Sequence, residues 1–142
     1  MNKFAVKLVA VTVFLFVLSV YVACAKLDSV KGSVKITEPA DGATVSSPVK
    51  VCMEVKGVHV EPAKKGVNMG YGHHHILVNV GEPTNLKNPI PKDKQHIHMG
   101  DGSTCKEIKL ARGKHTIRTL FAQGNHVPYD PSITDTISVT VK

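Results

Sequence analysis

Alternating apolar and polar residues dominate the chain after residue 30, and the segment VKVCMEVK shows this pattern most clearly. Val49, Val51, Met53 and Val55 occupy one phase of the alternation. Successive side chains of a strand leave opposite faces, so this period of two predicts a strand with one buried face. No segment after residue 30 shows a convincing period of 3.6 residues, and we therefore expect strands and turns.

About seven such strands are expected at short spacing, separated by turns rich in Gly and Pro. They lie near residues 33–37, 49–56, 74–80, 95–99, 103–110, 114–121 and 134–141. Short strands without an internal repeat are typical of a two-sheet sandwich. The sequence thus predicts an all-β fold, a single immunoglobulin-like antiparallel β-sandwich over residues 26–142. The Cys–Trp–Cys framework of antibodies is missing, so the prediction concerns architecture alone.

The first 25 residues have the layout of an export signal. Lys3 and Lys7 precede an apolar run over residues 8–22, and small residues follow. This order matches a signal peptide with its basic start, apolar centre and small-residue cleavage site. We predict that residues 1–25 form a signal peptide or lipoprotein signal, and that the protein is periplasmic or lies on the cell surface.

Three modes of processing remain open for this segment. Cleavage after Ala25 fits the A-x-A pattern of Ala23 and Ala25. The stretch YVAC instead fits a lipoprotein site, in which Cys24 becomes a lipidated first residue. An uncleaved anchor is the third mode, since the apolar run is near the lower limit for a membrane span. Contact with a membrane is expected only through a lipid anchor or an uncleaved signal.

The charge of the chain argues against a nucleic-acid partner. The formal net charge of +7 falls to +5 without the first 25 residues, which contain two Lys and no Asp or Glu. The remaining lysines are scattered, they do not alternate with aromatic residues, and Trp is absent. A nucleic-acid surface would need a concentrated basic patch. Envelope proteins are the candidate macromolecular partners, since they share the predicted compartment.

Cys52 and Cys105 are predicted to form a disulfide. An exported protein reaches a compartment where disulfides persist. The strands near 49–56 and 103–110 are neighbours in an immunoglobulin-like sheet, and both cysteines have the outward phase. They can form a bridge if their Cα atoms lie within roughly 7 Å. Two unpaired thiols remain the alternative.

Histidines are concentrated in three separate segments that the predicted fold brings to one end. Six of the eight histidines belong to this set: His73, His74, His75, His96, His98 and His126. In an H-x-H stretch of a strand, the two rings leave the same face about 6.5 Å apart and can hold one metal ion. We predict that His73, His75, His96 and His98 bind copper or zinc, with His126 as a possible fifth ligand.

The methionines near these pairs add little to the choice of metal. Met69 and Met99 lie beside the two H-x-H stretches, and a thioether would favour copper. Met99 shares a phase with Ile97, however, and a Met in a strand is more often a core residue.

Three further residues are predicted to support the site without binding the ion. His74 shares its phase with Ile76, so we expect it to point inward and to be hydrogen-bonded. Asn125 and Asp130 flank His126 and are candidates for orienting a ligand histidine by hydrogen bonds. Turn formation is the alternative role for both.

Fold rules also predict a difficulty for this site. The strands near 74–80 and 95–99 usually belong to opposite sheets of such a sandwich, so the two pairs would have to meet around the rim. One histidine of each pair could then be left out.

Three sequence motifs resemble the bacterial domain-of-unknown-function family 4399. They are GHHHILVN, HIHMGDGST and GKHTIRTLFAQGNHVPYDPSI, in this order, over about residues 34–141. The chain differs from the usual family pattern at Met99, Ser103 and Cys105. The resemblance implies an exported small β-domain, and it implies no established activity.

These observations lead to a functional hypothesis and an alternative. The hypothesis is an exported envelope protein that binds copper or zinc through a histidine-rich end of the sandwich. The alternative is a structural or partner-binding module whose histidines form a hydrogen-bonded cluster. An enzyme is not expected, since the chain lacks H-E-x-x-H, a glycine-rich phosphate loop and the local sequence of a nucleophilic triad. A metal-dependent redox enzyme stays open as a third hypothesis.

Overall fold

The computed structural model describes residues 29–142. The predicted signal segment and Cys24 lie outside the described residues, so their processing stays a prediction. Within residues 29–142, no helix is long and apolar enough to cross a membrane.

The described part of the chain folds into nine strands and one short 3₁₀ helix, Ala63–Lys65. In chain order the strands are β1 (Ser33–Glu38), β2 (Thr44–Val45), β3 (Val49–Lys56), β4 (His59–Val60), β5 (Tyr71–Val78), β6 (His96–His98), β7 (Cys105–Ile108), β8 (Gly113–Ala122) and β9 (Pro128–Val141). The predicted all-β fold is confirmed. The two short strands β2 and β4 were not expected from the sequence, since two residues are too few to show a period.

Two sheets pack against each other. The smaller sheet has the order β1-β3-β7, and the larger one has the order β2-β9-β8-β5-β4, with β6 also paired to β5. Most pairs are antiparallel, as predicted, but β2–β9 and β4–β5 are parallel. Apolar side chains from both sheets form the core between them, including Val51 and Met53 of β3, Ile76 of β5 and Ile137 of β9. This arrangement is the predicted β-sandwich.

The alternation in β3 has the predicted structural meaning. Val49, Val51 and Met53 are buried, whereas Lys50 and Glu54 are exposed. Burying one apolar face of the strand against the other sheet provides the main driving force for this packing.

The last strand is longer than the sequence pattern predicted. β9 begins at Pro128, not near residue 134, and it pairs with β8 over most of its length. The register shifts between Phe121 and Ala122, so that Phe121 faces Ile133 while Ala122 faces Pro128. This irregularity and the prolines hide the alternation, which is why the segment resembles a loop in the sequence.

The strand that carries His96 and His98 lies in a different sheet from the one predicted. β6 pairs with β5 in the larger sheet, with His75 opposite His98 and Leu77 opposite His96. The expectation that the two H-x-H segments meet around the rim is therefore wrong. The 79–95 connection leads back to the same sheet, which places the two segments side by side.

Cys52 and Cys105 form the predicted disulfide between β3 and β7. They are direct partners in the antiparallel register, and their Cα atoms are 4.1 Å apart. The bridge joins positions separated by 53 residues. Disulfides persist in oxidising compartments, so this bridge indicates such a compartment for the folded protein.

A second, smaller apolar cluster covers the outer face of the larger sheet, on the side away from the other sheet. The segment 79–95 crosses this face, and the backbone N–H of Ile90 donates a hydrogen bond of 2.9 Å to the carbonyl oxygen of His126. The buried members of the cluster are Leu77, Ile90, Leu120 and Ala122. The outer face is thus shielded from water where β5, β6 and the β8–β9 turn meet.

A candidate metal centre of four histidines

The alternation of β5 sends its three histidines to two different faces. His74 follows the phase of Ile76 and Val78, which lie in the core between the sheets. His73 and His75 have the opposite phase and face outward, under the 79–95 segment. All three are buried, with at most 2% of their surface exposed.

His98 reaches the same outer face from the neighbouring strand. It lies directly opposite His75 in the β5–β6 pair, and opposed residues of a strand pair point to the same side of the sheet. The ring of His98 packs closely over Gly100, since a Cβ atom added at Gly100 would overlap with Cε1 of His98. Gly100 therefore leaves the space that the imidazole fills.

His126 comes from the turn between β8 and β9. Its backbone N–H donates to the carbonyl oxygen of Gln123 over 2.8 Å, and the N–H of Gln123 donates to the carbonyl oxygen of Val127 over 3.0 Å. The φ angle of His126 is +67°, in the left-handed region that residues other than Gly seldom adopt. Such conformations cost energy and persist only where the surrounding structure holds them in place. They are concentrated at functional sites.

The four imidazoles converge on one point. One nitrogen of each of His73, His75, His98 and His126 lies within 4.8 Å of the others. Nε2 of His73 is 3.0 Å from Nε2 of His75 and 3.1 Å from Nδ1 of His126. Four nitrogens bound to one zinc ion at 2.0–2.1 Å would lie roughly 3.3 Å apart, by tetrahedral geometry. The separations of 3.0 and 3.1 Å from Nε2 of His73 are close to this value.

Burial favours the neutral, metal-binding form of His73, His75 and His98. Desolvation is the main cause, and together with neighbouring histidines it lowers the pKa of His73 to about 4 and that of His75 to about 2. The pKa of His98 is lowered mainly by burial, with smaller contributions from positive charges that include Lys92. Neutral imidazoles offer a free lone pair at neutral pH.

Several ring nitrogens have no hydrogen-bond partner among the described residues. They include Nδ1 of His73, Nδ1 of His75 and Nε2 of His98. Metal-bound histidines usually donate their second N–H to a carboxylate, a carbonyl or water. Within residues 29–142, the two β5 histidines receive no such support from the protein.

His96 does not join the four converging histidines. Its Nδ1 lies 2.9 Å from Oδ1 and 3.0 Å from Oδ2 of Asp93, so the ring is held by this carboxylate. It stands opposite Leu77, two residue pairs further along β5 than His98. The predicted H-x-H pair of β6 thus contributes one ring to the cluster, whereas the pair on β5 contributes both.

The three predicted supporting residues lie outside the cluster. His74 is buried as expected, edge-on to the ring of Phe121 at 5.3 Å, but neither of its nitrogens has a hydrogen-bond partner among the described residues. Asn125 is exposed and accepts a hydrogen bond from the N–H of Val127 over 3.2 Å. This local contact stabilises the turn, which is the alternative role considered for Asn125. Asp130 is exposed, at the start of β9.

The two methionines do not contribute a ligand to the cluster. Met99 is 1% exposed and belongs to the core between the sheets, whereas the side chain of Met69 is 74% exposed. The described cluster thus consists of imidazoles alone.

Residues near the site that the sequence did not reveal belong to the 79–95 connection. A small cavity in front of the cluster is lined by His75, His98 and His126 together with Ile90, Pro91 and Lys92. The connection has no periodicity, and its three prolines predicted only an irregular segment. The single signal in the sequence is the apolar Ile90 between two prolines, which is unusual for an exposed loop.

The fold and this site define a β-sandwich protein with a buried cluster of four histidines on the outer face of its larger sheet. A family model described as domain of unknown function DUF4399 matches residues 51–142. The chain belongs to this family, which confirms the resemblance seen in the sequence.

Other comparisons add little. No curated protein matches the chain. Among solved structures, the endo-beta-1,4-mannanase from Thermotoga petrophila is similar with a TM-score of 0.43 and 13% identity. The similarity covers 79% of this chain and 20% of the mannanase chain.

Proposed function

We propose that this protein is exported and binds one copper or zinc ion through His73, His75, His98 and His126. The convergence of four ring nitrogens within 4.8 Å of one another is the observation that carries the proposal. Burial lowers the pKa of three of these rings, so that protons compete weakly for the same nitrogens near pH 7.

Hydrogen bonding alone accounts poorly for the cluster. Nε2 of His73 is within 3.1 Å of nitrogens from both His75 and His126. A ring nitrogen carries either one proton or one in-plane lone pair, so it makes one good hydrogen bond and not two. A buried nitrogen without a partner costs about 1–3 kcal/mol. A shared metal ion would use all four converging lone pairs at once.

The ligand set bears on the choice of metal. Imidazole suits zinc, copper, nickel and iron, while thiolate and thioether ligands select cuprous ion. The cluster contains neither sulfur ligand, so it suits Zn²⁺ or Cu²⁺ better than Cu⁺. The exposed Met69 and the core residue Met99 give no reason to prefer copper.

Export is supported by two independent features. The disulfide between Cys52 and Cys105 is of the kind that persists outside the reducing cytoplasm. The first 25 residues have the order of a signal peptide. A periplasmic or surface protein with one buried metal site could store, deliver or sense the ion, with envelope proteins as partners.

Equilibrium dialysis of the purified metal-free protein against Zn²⁺ and Cu²⁺ tests this proposal. We expect one ion per chain. The His73→Ala and His98→Ala variants should each weaken binding by more than roughly 100-fold, since loss of an indirect supporting contact alone costs 10–100-fold. The matched control is His59→Ala, because His59 is exposed and stacks only on Tyr71.

Two outcomes of the dialysis experiment would contradict metal binding. If wild-type protein binds neither ion, or if His73→Ala and His98→Ala bind as tightly as His59→Ala, the cluster is not a metal site. The histidines would then belong to a structural or partner-binding module. Turnover by metal-loaded protein would instead favour a redox enzyme.

A further inference from the structure

A cavity of about 170 Å³ lies directly in front of the histidine cluster. Three of the four clustered rings, those of His75, His98 and His126, line one of its walls. His73 does not line it, although its Nε2 contacts both His75 and His126. One face of the four-nitrogen set therefore opens into a defined space.

The opposite wall of this cavity is held in place. Ile90 lies between Pro89 and Pro91, and proline both fixes its own φ and restricts the residue before it. The N–H of Ile90 also donates to the carbonyl oxygen of His126 over 2.9 Å, which ties the wall to a ring that lines the cavity. The side chain of Ile90 is buried, with 6% of its surface exposed.

One positively charged side chain belongs to the lining of the cavity. Lys92 is exposed and is one of the lining residues, next to His98 and Pro91. None of the described residues that line the cavity carries a carboxylate. A bound divalent ion and the Lys92 ammonium would both attract negative charge, and an apolar wall strengthens such attraction by excluding water.

We infer that the cavity is a binding site for a small anion, which enters past Lys92 and adds to the metal as a further ligand. This inference rests on the proposed metal binding. Four-coordinate zinc sites can expand to five ligands, and the open face is where a fifth ligand has room. The cavity volume exceeds the roughly 30 Å³ that one water takes up in the liquid, so an anion of a few heavy atoms fits.

Azide added to copper-loaded protein is a direct probe of this site. Cu²⁺ has the highest affinity in the divalent series, and azide bound to it produces a charge-transfer band in the near-ultraviolet. We expect the band to rise and saturate as azide is added, while the copper content per chain stays constant.

Lys92→Glu and Lys87→Glu form the matched pair of variants. Both lysines are exposed on the 79–95 segment, but Lys87 does not line this cavity. Lys92→Glu should weaken azide binding by about fivefold or more, as the loss of a partly screened charge interaction of ~1 kcal/mol predicts. Lys87→Glu should leave the azide Kd unchanged, and both variants should still bind one copper ion per chain, so that azide binding is compared at equal copper content.

The outcomes separate the two proposals. Protein that binds copper but shows no new band with up to roughly 0.1 M azide, far above the Kd of a useful site, overturns the anion site and leaves metal binding intact. Equal weakening by the two lysine variants overturns the assignment to this cavity. Failure to bind copper at all removes the proposed function, and the inference with it.

Discussion

Replacing His74 by Leu should stabilise the protein. His74 is fully buried in the core between the sheets, edge-on to Phe121 at 5.3 Å. Neither ring nitrogen has a hydrogen-bond partner among the described residues. Leucine has a similar volume and no polar atoms, so the His74→Leu substitution removes the unsatisfied groups and keeps the space filled.

The size of the effect depends on pH, and its sign follows from burial. At pH 8 both the folded and the unfolded chain hold the ring neutral, and we expect a gain of about 1–2 kcal/mol from removing unsatisfied nitrogens. Burial lowers the pKa of His74 in the folded state from its ordinary value of 6.5 to about 4. As pH falls from 6.5 towards 4, His74 becomes protonated in the unfolded chain but stays neutral in the folded chain. The free energy of unfolding of the wild type therefore falls.

At pH 5 the difference in protonation of His74 between the folded and the unfolded chain adds about 2 kcal/mol to the stability gained by His74→Leu. The His74→Leu variant should therefore exceed the wild type by about 3–4 kcal/mol at pH 5. Urea unfolding of the metal-free, disulfide-intact protein, followed by circular dichroism at pH 8 and pH 5, measures both values.

His59→Leu is the control for this experiment. His59 is exposed on β4, so its replacement should change stability little at either pH. A loss of stability in His74→Leu at both pH values would contradict the reasoning, as would a gain that is the same at pH 8 and pH 5. Because His74 points away from the cluster, the variant should also keep wild-type metal affinity; a large loss would restore a supporting role for this residue.

Three other predictions follow from the same features. Non-reduced protein should contain no reactive thiol at Cys52 or Cys105, and opening the bridge should cost about 4 kcal/mol by the loop-entropy model; labelling of two thiols in native protein would contradict this. Mass spectrometry of envelope material should find a chain that starts near Lys26 or at a lipidated Cys24, whereas an intact Met1 would point to an uncleaved anchor. Metal binding should persist below pH 6.5, because burial lowers the pKa values of His73, His75 and His98; a steep decline in dialysis affinity starting at pH 6.5 would show that protons compete at these three rings as they do at exposed histidines.

The period of two carries most of the fold information in this sequence. It located β1, β3, β5, β7 and β8 to within a few residues, because each buries one face against the core. It failed where the physical cause of alternation is absent. Two-residue strands are too short to show it, and the β8–β9 register shift interrupts it near Pro128.

The candidate site was only partly predictable, because the sequence does not reveal which side chains form hydrogen bonds with its histidines. The pairs H-x-H at 73–75 and 96–98 are equivalent as sequence, yet only one ring of the second pair joins the cluster. Asp93 holds His96 through its Nδ1, and no spacing rule reveals that competing carboxylate. The 79–95 connection likewise determines which sheet β6 joins. Its sequence has no periodicity from which its path could be predicted.

Folding and metal binding should be linked in this protein because of where its neutral rings lie. His73 and His75 are buried with an Nδ1 that has no partner among the described residues, and each such group lowers the stability of the metal-free fold. A ligand that binds only the folded state stabilises it by RT ln(1 + [L]/Kd), which is about 4 kcal/mol at a thousandfold excess over Kd. That gain is comparable to the cost of the unsatisfied nitrogens. If the protein binds a metal ion as we propose, the bound ion should therefore raise the free energy of unfolding and offset the cost of these buried nitrogens.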